Sequence, residues 1–214
     1  SWTELKNNGE EDLGVEYVSS FALLGIDKEG LLSTDEKLEV LIARNAWQKE
    51  LIWNRFSMDQ LGMSISQPDK VRRSSQTISV GNTGNWSTKN YLPMGCLKNK
   101  ETDSILFWQI EQNGSWYWEI SDQDGHMYLQ LSGPTEHQSH WWKNLKPGDT
   151  FASVPVSVGS ACGDVEEAAG ELTKYRRAIR RKNEDNEKLP VIFNDYMNCL
   201  WGDPTTEKEL PLID

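Results

Sequence analysis

The chain contains few of the residues that build metal sites and disulfide frameworks. Only 3 cysteines and 3 histidines occur among its 214 residues. Cys96, Cys162 and Cys199 are widely spaced, and this odd, sparse set matches neither a disulfide framework nor the spacing of metal ligands. His137 and His140 lie close together, but they fall in a polar stretch that is better interpreted as a loop. The sequence therefore gives no reason to expect a metal ion or any other cofactor.

Positive charge and long apolar runs are scarce as well. The chain has 22 Lys and Arg against 33 Asp and Glu, a net charge of -11 and a pI near 4.8. Nucleic acid is therefore not a predicted partner, because its phosphates require a cationic surface. No apolar run approaches the roughly 20 residues that a helix needs to cross a bilayer, so no membrane association is expected. Sparse cysteine favours a cytoplasmic location. Residue 1 is Ser rather than Met, so we expect the native N-terminus upstream, where a signal peptide would lie.

Tryptophan, in contrast, is abundant, with 10 residues in the chain. Aromatic side chains are the main packing material of many buried β-sheet cores. Carbohydrate-binding proteins use tryptophan too, because the apolar face of a sugar stacks on an indole. The count alone does not separate these two interpretations.

Most of the chain up to about residue 160 has the pattern of β-strands. Residues 14–26 and 37–43 are rich in β-branched and aromatic side chains and are bounded by Gly, Asp and Ser. Residues 48–56 mix polar and apolar side chains, which is typical of a half-buried strand. Residues 72–95 predict a strand followed by a long polar loop.

Turn motifs divide the next part of the chain into shorter strands. Asn113-Gly114 lies between two aromatic-rich runs, SILFWQIEQ and SWYWEI, and predicts a β-hairpin with a type I′ turn. Asp124-Gly125 predicts a second turn, which leads into the strand MYLQLSG. Residues 147–149 predict a further turn before FASVPVSV. Together these motifs predict an antiparallel meander that folds into a β-sandwich.

From Gly163 onward the pattern becomes helical, with Asp164 as the predicted N-cap. The apolar residues of one helix face are Val165, Ala168, Ala169, Leu172, Tyr175, Ala178 and Ile179. Residues 176–182 are rich in Arg and Lys, which the negative end of the helix dipole favours. We interpret this cluster as a solvated helix end rather than an anion site. Residues 183–188 are predicted to be a polar linker.

Residues 190–193, Pro-Val-Ile-Phe, predict a strand that is buried on both faces, as in a parallel sheet. Asp203 and Pro204 then predict the N-cap and first residue of a helix, with Thr205 as a competing cap. A strand, a loop and a helix start are the opening of a βα repeat. Because one parallel strand makes no sheet, we expect the chain to be a fragment of a longer protein.

These last residues resemble a known family. NDYMNCLWGDPTTEKELPLID is similar to the first barrel strand, loop and helix of glycoside hydrolase family 36, the α-galactosidases. EYVSSFALLGI, the segment around Trp47 to Arg55, NTGNWSTKNYLPMG, FWQIEQNGSWYWEI and the helix LTKYRRAIRR resemble its N-terminal β-domain, in consistent order.

The resemblance implies a mainly β fold: an antiparallel β-supersandwich, a linker helix, and the first βα unit of a truncated (β/α)8 barrel. It implies a sandwich over residues 1–162, itself truncated at its N-terminus, a linker over 163–189 and the barrel start over 190–214. It implies a retaining hydrolase that releases terminal α-linked galactose from oligosaccharides such as melibiose or raffinose, and a homo-oligomer. Both catalytic carboxylates of such an enzyme come from later barrel strands, so no catalytic residue is assigned and the fragment is expected to be inactive.

The resemblance also implies substrate-binding residues, because barrel active sites lie at the C-terminal ends of the strands. Asn194, Asp195 and Tyr196 follow the predicted strand, and Trp201 lies on the same loop. The family often has Asn-Ser-Trp or Asn-Asn-Trp where this chain has Asn-Asp-Tyr. Trp86, in the polar loop of the β-domain, is a further candidate for a sugar contact. The remaining indoles are expected in the sandwich core and at its edge: Trp108, Trp116, Trp118, Trp141 and Trp142.

Two alternatives stay open at this point. An aromatic-rich sandwich also fits a non-catalytic carbohydrate-binding or assembly module. Within the same family, the parent protein could instead be a galactosyltransferase or an α-N-acetylgalactosaminidase.

Overall fold

The computed structural model describes residues 1–63, 76–123, 125–195 and 199–213. The chain forms two compact units, Ser1–Lys174 and Tyr175–Asp214. The predictions that concern Tyr196, Asp124 and residues 72–75 lie outside the described residues.

The first unit contains the strands and most of the long helix. The strands are β1 (Glu4–Lys6), β2 (Leu13–Val15), β3 (Ser19–Leu24), β4 (Leu38–Ala46), β5 (Lys49–Ser57), β6 (Thr77–Asn82), β7 (Tyr91–Asn99), β8 (Ser104–Ile110), β9 (Trp116–Gln123), β10 (His126–Ser132), β11 (Lys143–Leu145), β12 (Thr150–Ala152) and β13 (Val156–Cys162). The helices of the chain are α1 (Thr34–Lys37), α2 (Glu136–Ser139), α3 (Val165–Ile179), α4 (Glu184–Lys188) and α5 (Thr206–Glu209), followed by a 3-10 turn at Leu210–Leu212.

Two antiparallel sheets dominate the first unit. One has four strands in the order β3-β10-β9-β6, and the other has five in the order β13-β8-β7-β4-β5. Two short pairs, β1 with β12 and β2 with β11, complete the strand pairing of the described residues. The predicted mainly β, antiparallel sandwich is confirmed.

The core lies between the two large sheets, because alternate residues of each strand point into it. In β4, Val40 and Ile42 belong to this core while Leu41 belongs to a separate cluster on the other face. In β8 and β9, the indoles of Trp108 and Trp118 meet edge to face, with ring centroids 5.1 Å apart. Trp108, Trp116 and Trp118 are at most 1% exposed, which confirms their predicted place in the core.

The five-stranded sheet is buried on its outer face as well, because helix α3 covers it. Leu41, Cys96 and Phe107 pack there against Ala168 and Leu172 of the helix. The cap of α3 is as predicted: the Asp164 carboxylate accepts a hydrogen bond from the Val165 backbone N–H at 2.7 Å. The Glu167 carboxylate in turn accepts one from the Asp164 N–H at 2.8 Å.

The predicted hairpin at Asn113-Gly114 is wrong. β8 pairs with β7 and β13, whereas β9 pairs with β10 and β6, so the residues between β8 and β9 cross from one sheet to the other. Neither Asn113 nor Gly114 has the positive φ that a type I′ turn requires. Turn-forming residues indicate a reversal of the chain, but they do not determine which strands pair after it.

The other predicted turns are found. β9 and β10 form a hairpin, and Gly125 in their connection has a φ of 78°. Gly148 has a φ of 85° in the turn before β12. The segment predicted as one strand after that turn is divided, because β12 pairs with β1 and β13 pairs with β8.

The second unit differs from the predicted opening of a βα repeat. Residues 190–193 form no strand, and Val191 and Ile192 are 99% and 86% exposed. A strand buried on both faces requires neighbours on each side, and no strand occurs among the described residues of this unit. The predicted polar linker contains helix α4, capped by Asn183. Thr205, rather than Asp203, is the N-cap of α5.

Among the helices of the described residues, none is both long enough and apolar enough to cross a membrane.

Candidate functional site

The substrate-binding residues predicted from the sequence lie in both units. Asn194, Asp195 and Trp201 belong to the second unit and Trp86 belongs to the first, while Tyr196 lies outside the described residues. The Asp195 backbone carbonyl accepts hydrogen bonds from the N–H groups of Leu200 at 2.9 Å and Cys199 at 3.3 Å. These bonds bring Cys199 and Leu200, which directly precede Trp201, next to Asp195.

Trp201 is available for contact with a ligand, because its side chain is 81% exposed. A second carboxyl group lies beside Asp195: a hydrogen bond between the two side chains raises the pKa of Glu209 above its ordinary value. The sequence alone did not indicate this pair, since the two residues are far apart in the chain and α5 begins later than predicted.

Trp86 lies on the polar loop of residues 83–90, between β6 and β7. Hydrogen bonds from buried side chains hold this loop: the Asn82 side-chain amide donates to the backbone carbonyl of Ser87 at 2.9 Å, and the Trp116 indole donates to the same carbonyl at 2.7 Å. The Trp86 side chain itself is 62% exposed. The loop thus has a fixed base and presents an indole to solvent.

The outer face of the four-stranded sheet carries a cluster of tyrosines around one carboxylate. In β9, Trp118 and Ile120 point into the core, so the alternating residues Tyr117 and Glu119 point outward. Glu119 accepts hydrogen bonds from the Tyr117 hydroxyl at 2.5 Å and from the Tyr128 hydroxyl of β10 at 2.8 Å. Each carboxylate oxygen therefore has a phenol donor.

The surroundings keep these phenols protonated. Burial is the main cause that raises the pKa of Tyr117, and its hydrogen bond to Glu119 raises it further. The same causes, in the same order, raise the pKa of Tyr128. Each phenol is also bonded to a serine side chain, Ser79 at Tyr117 and Ser121 at Tyr128, and these bonds act in the opposite direction on the two pKa values.

Two cavities adjoin this cluster. The first has a volume of about 330 Å³ and is lined by Glu16, Tyr17, Tyr117, Glu119, Gln130, Thr135, Glu136, His137 and Gln138. The second has a volume of about 300 Å³ and is lined by Ser79, Val80, Gly81, Asn82, Thr83, Asn90, Tyr91, Trp116, Tyr117 and Gln138. Tyr117 and Gln138 line both cavities, so the two are adjacent, and together they are here called the tyrosine groove.

A close approach of the backbone shapes the second cavity. A Cβ atom at Gly81 would lie 2.7 Å from the backbone carbonyl oxygen of Trp116 and 3.6 Å from the Tyr117 ring. Only glycine allows β6 and β9 to come this close beside Tyr117. The floor of the groove is thus fixed by backbone geometry.

A third cavity of about 600 Å³ is aromatic and apolar. It is lined by Trp2, Gln112, Pro134, Trp141, Phe151, Ala152, Ser153, Val154 and Pro155. The rings of Trp141 and Phe151 lie 5.5 Å apart, at the edge of the sandwich where Trp141 was predicted. The Ser153 hydroxyl oxygen already accepts hydrogen bonds from Thr3 and Ser20. This cavity therefore offers few polar groups that could orient a ligand.

Metal ligands do not converge in the part of the chain that the structure describes. No group of three or more His, Cys, Asp or Glu residues there is placed to hold a metal ion. Cys96, Cys162 and Cys199 are all free thiols.

Solved structures match this architecture over most of the chain. An α-galactosidase from Lactobacillus brevis matches 98% of the chain with a TM-score of 0.70 and 14% identity. The GH36 α-galactosidase AgaB from Geobacillus stearothermophilus matches 90% of it with a TM-score of 0.68 and 14% identity. The chain has the fold of part of a GH36 α-galactosidase.

The galactosidase domain of an α-galactosidase-sucrose kinase, AgaSK, matches 75% of the chain with a TM-score of 0.58 and 19% identity. This chain spans only 20% to 25% of the length of these three proteins. No model of a protein family and no curated protein matches it. The resemblance to GH36 noted in the sequence thus agrees with the fold.

Proposed function

We propose that this chain is the N-terminal β-domain of a retaining α-galactosidase, together with the start of its catalytic barrel. The observation that carries the proposal is the match of the fold to GH36 α-galactosidases over up to 98% of the chain. The sequence motifs that resemble GH36 support the proposal independently. They follow the same order as in that family and extend from the first strands to Trp201.

The proposed reaction is hydrolysis of terminal α-linked galactose from oligosaccharides such as raffinose. Related structures support this substrate class: two variants of AgaA of Geobacillus stearothermophilus were solved in complex with stachyose and with raffinose, respectively. In a retaining enzyme, one carboxylate attacks the anomeric carbon and a second protonates the leaving oxygen, then activates water, across about 5–5.5 Å. In this proposal both carboxylates come from the parent protein beyond residue 214.

In the parent protein, Asn194, Asp195, Tyr196 and Trp201 would contribute to the sugar pocket, and Trp86 would be a further contact. The exposed indoles of Trp201 and Trp86 support this assignment, since each ring is available for stacking on a sugar. Asp195 can accept sugar hydroxyls when it is ionised.

The test compares the full-length gene product with the 214-residue chain, using p-nitrophenyl α-galactoside, melibiose and raffinose. We expect the full-length product to release galactose with retained anomeric configuration and the 214-residue chain to be inactive. A full-length product without α-galactosidase activity would overturn the proposal. Turnover by the short chain would show that its own residues supply the catalytic carboxylates.

A further inference from the structure

We infer that the tyrosine groove on the outer face of the four-stranded sheet is a binding site for a neutral oligosaccharide. The groove consists of the two cavities that share Tyr117 and Gln138. It belongs entirely to the unit Ser1–Lys174. It contains none of the residues predicted to bind substrate, and the inference does not rest on the proposed enzymatic function.

The second cavity defines the class of ligand. Its described lining residues include no charged side chain, but they combine the partly buried aromatic rings of Tyr91 and Tyr117 with hydroxyl and amide groups. The hydroxyl and amide side chains are those of Ser79, Thr83, Asn90 and Gln138. Aromatic rings can stack on the apolar face of a sugar ring, and the hydroxyl and amide groups around them can donate hydrogen bonds to the sugar hydroxyls or accept them. This combination suits a carbohydrate.

The first cavity adds hydrogen-bond acceptors. Glu16 and Glu136 line it, and the side-chain amides of Gln130 and Gln138 each carry a carbonyl oxygen that can accept a hydrogen bond. The glutamates Glu16, Glu119 and Glu136 among its lining residues give this cavity a negative charge, which disfavours phosphate and other anions as ligands. Hydroxyl groups of a sugar are donors that match this surface.

The hydrogen bonds within the groove argue against a site that binds only a cation. The carboxylate at its centre, Glu119, has a phenol donor on each oxygen, so it does not require a cation to satisfy it. The second cavity has no carboxylate among its described lining residues that could pair with an ammonium group, and the Arg44 guanidinium already lies over the Tyr91 ring, 5.1 Å from its centroid. Two adjacent cavities of about 330 and 300 Å³, each within the range of about 300–1,000 Å³ typical of ligand sites, suit neighbouring sugar rings.

Hydrogen bonds within the chain hold several side chains of the groove in place without a ligand. Gln130 donates its side-chain amide to the Tyr17 hydroxyl, and Tyr117 and Tyr128 are held by Glu119. Thr135 caps helix α2 by accepting a hydrogen bond from the Gln138 N–H at 3.0 Å, which positions Gln138 between the two cavities. A preformed site loses less conformational entropy when it binds a ligand.

The experiment is calorimetric titration of the 214-residue chain with melibiose, raffinose, maltotriose and cellotriose, and with spermidine as the cationic probe. We expect saturable binding of at least one oligosaccharide. Tyr117→Ala should weaken this binding at least about tenfold, since it removes a ring and a hydroxyl shared by both cavities. Gln138→Ala, at an exposed position of a short helix, should weaken it severalfold without affecting the fold.

Matched controls locate the site. Trp47→Ala removes an indole that is 83% exposed and lies outside the groove, and it should leave the affinity unchanged. Trp201→Ala should also leave it unchanged, which separates the groove from the pocket proposed for the parent enzyme. Tyr117→Phe keeps the ring but loses the hydrogen bond to Glu119, so it should retain part of the affinity. This variant tests the site if Tyr117→Ala does not fold.

Three outcomes would overturn the inference. The first is an absence of binding by every oligosaccharide at millimolar concentration. The second is binding that is lost in Trp201→Ala but kept in Gln138→Ala and Tyr117→Phe. The third is binding of spermidine in place of the oligosaccharides, which would show that the acidic residues of the first cavity determine the ligand.

Discussion

The two units of the chain place similar apolar side chains in opposite environments. In Ser1–Lys174, Ile120 is fully buried, whereas in Tyr175–Asp214, Ile192 is 86% exposed. Both residues lie in short runs that are rich in β-forming side chains. The difference is that Ile120 belongs to a strand with a partner on each side, β10 and β6, while residues 190–193 have no partner strand among the residues that the structure describes.

This contrast shows that β-propensity is largely a measure of what a residue can pack against. The sandwich supplies those contacts from distant parts of the chain: β3 pairs with β10, and β8 pairs with β13. The second unit consists of short helices and turns among its described residues, which offer no sheet edge to an extended segment. The following predictions test whether the two units differ in this way in solution.

The largest effect is expected for Trp108→Ala in the core. The Trp108 indole is fully buried and packs edge to face against Trp118, so its loss leaves a cavity between the sheets. We expect the free energy of unfolding to fall by about 3–5 kcal/mol. Urea denaturation monitored by circular dichroism measures this free energy of unfolding. Trp47→Ala, at an exposed indole, should change it by no more than about 0.5 kcal/mol; equal effects would show that the sandwich core is not packed as described.

Gly95→Ala should destabilise the same core by a different mechanism. A Cβ atom at Gly95 would lie 2.5 Å from Cζ2 of Trp108, so the indole would have to move. We expect a loss of about 1–3 kcal/mol, as for other overpacked cores. The matched control is Gly170→Ala in helix α3, where an added Cβ meets nothing within 4 Å. That substitution should stabilise the chain by about 0.5–1 kcal/mol; a similar loss at both positions would contradict the explanation.

Glu101 makes the stability of the unit Ser1–Lys174 depend on pH. Its carboxylate accepts hydrogen bonds from the backbone N–H groups of Leu31 at 2.8 Å and Leu32 at 2.9 Å, which lower its pKa from the ordinary value of 4.5. A lowered pKa in the folded state adds stability above pH 4.5, and this stability is lost as the pH falls through the folded-state pKa. In Glu101→Gln, the free energy of unfolding should therefore change less between pH 5 and pH 3. Identical pH profiles for both proteins would contradict this role.

Much of the sandwich could be predicted from the sequence, because its strands have a strong local pattern. Residues 37–43 and 48–56 correspond to β4 and β5, and Asp164 caps α3 as expected. The pairing of β8 and β9 could not be predicted, since a turn motif reports the local backbone and not the competition among strands. β8 instead lies between β7 and β13, which cover both of its edges.

The tyrosine groove was missed for a similar reason. Its residues come together only through strand register: Glu119 of β9 lies opposite Gln130 of β10, and Tyr117 lies opposite Ser132. The sequence did contain one indication, the alternation of aromatic and polar residues in SWYWEIS, with the tyrosine and the glutamate on the same face. Trp86 could be predicted as an exposed residue because its loop is polar throughout.

The smallest effect is expected for Ile192→Ala in the second unit, and it provides the sharpest comparison with Ile120→Ala. Ile120→Ala should cost about 2–5 kcal/mol, because the side chain is fully buried between the sheets. Ile192→Ala in the 214-residue chain should change the free energy of unfolding by no more than about 0.5 kcal/mol. A loss above about 1 kcal/mol would show that residues 190–193 are packed in the isolated chain. In the full-length product the expectation reverses: if this segment is a barrel strand there, the same substitution should lower the melting temperature, because the missing neighbours would then bury Ile192 on both faces of a parallel sheet.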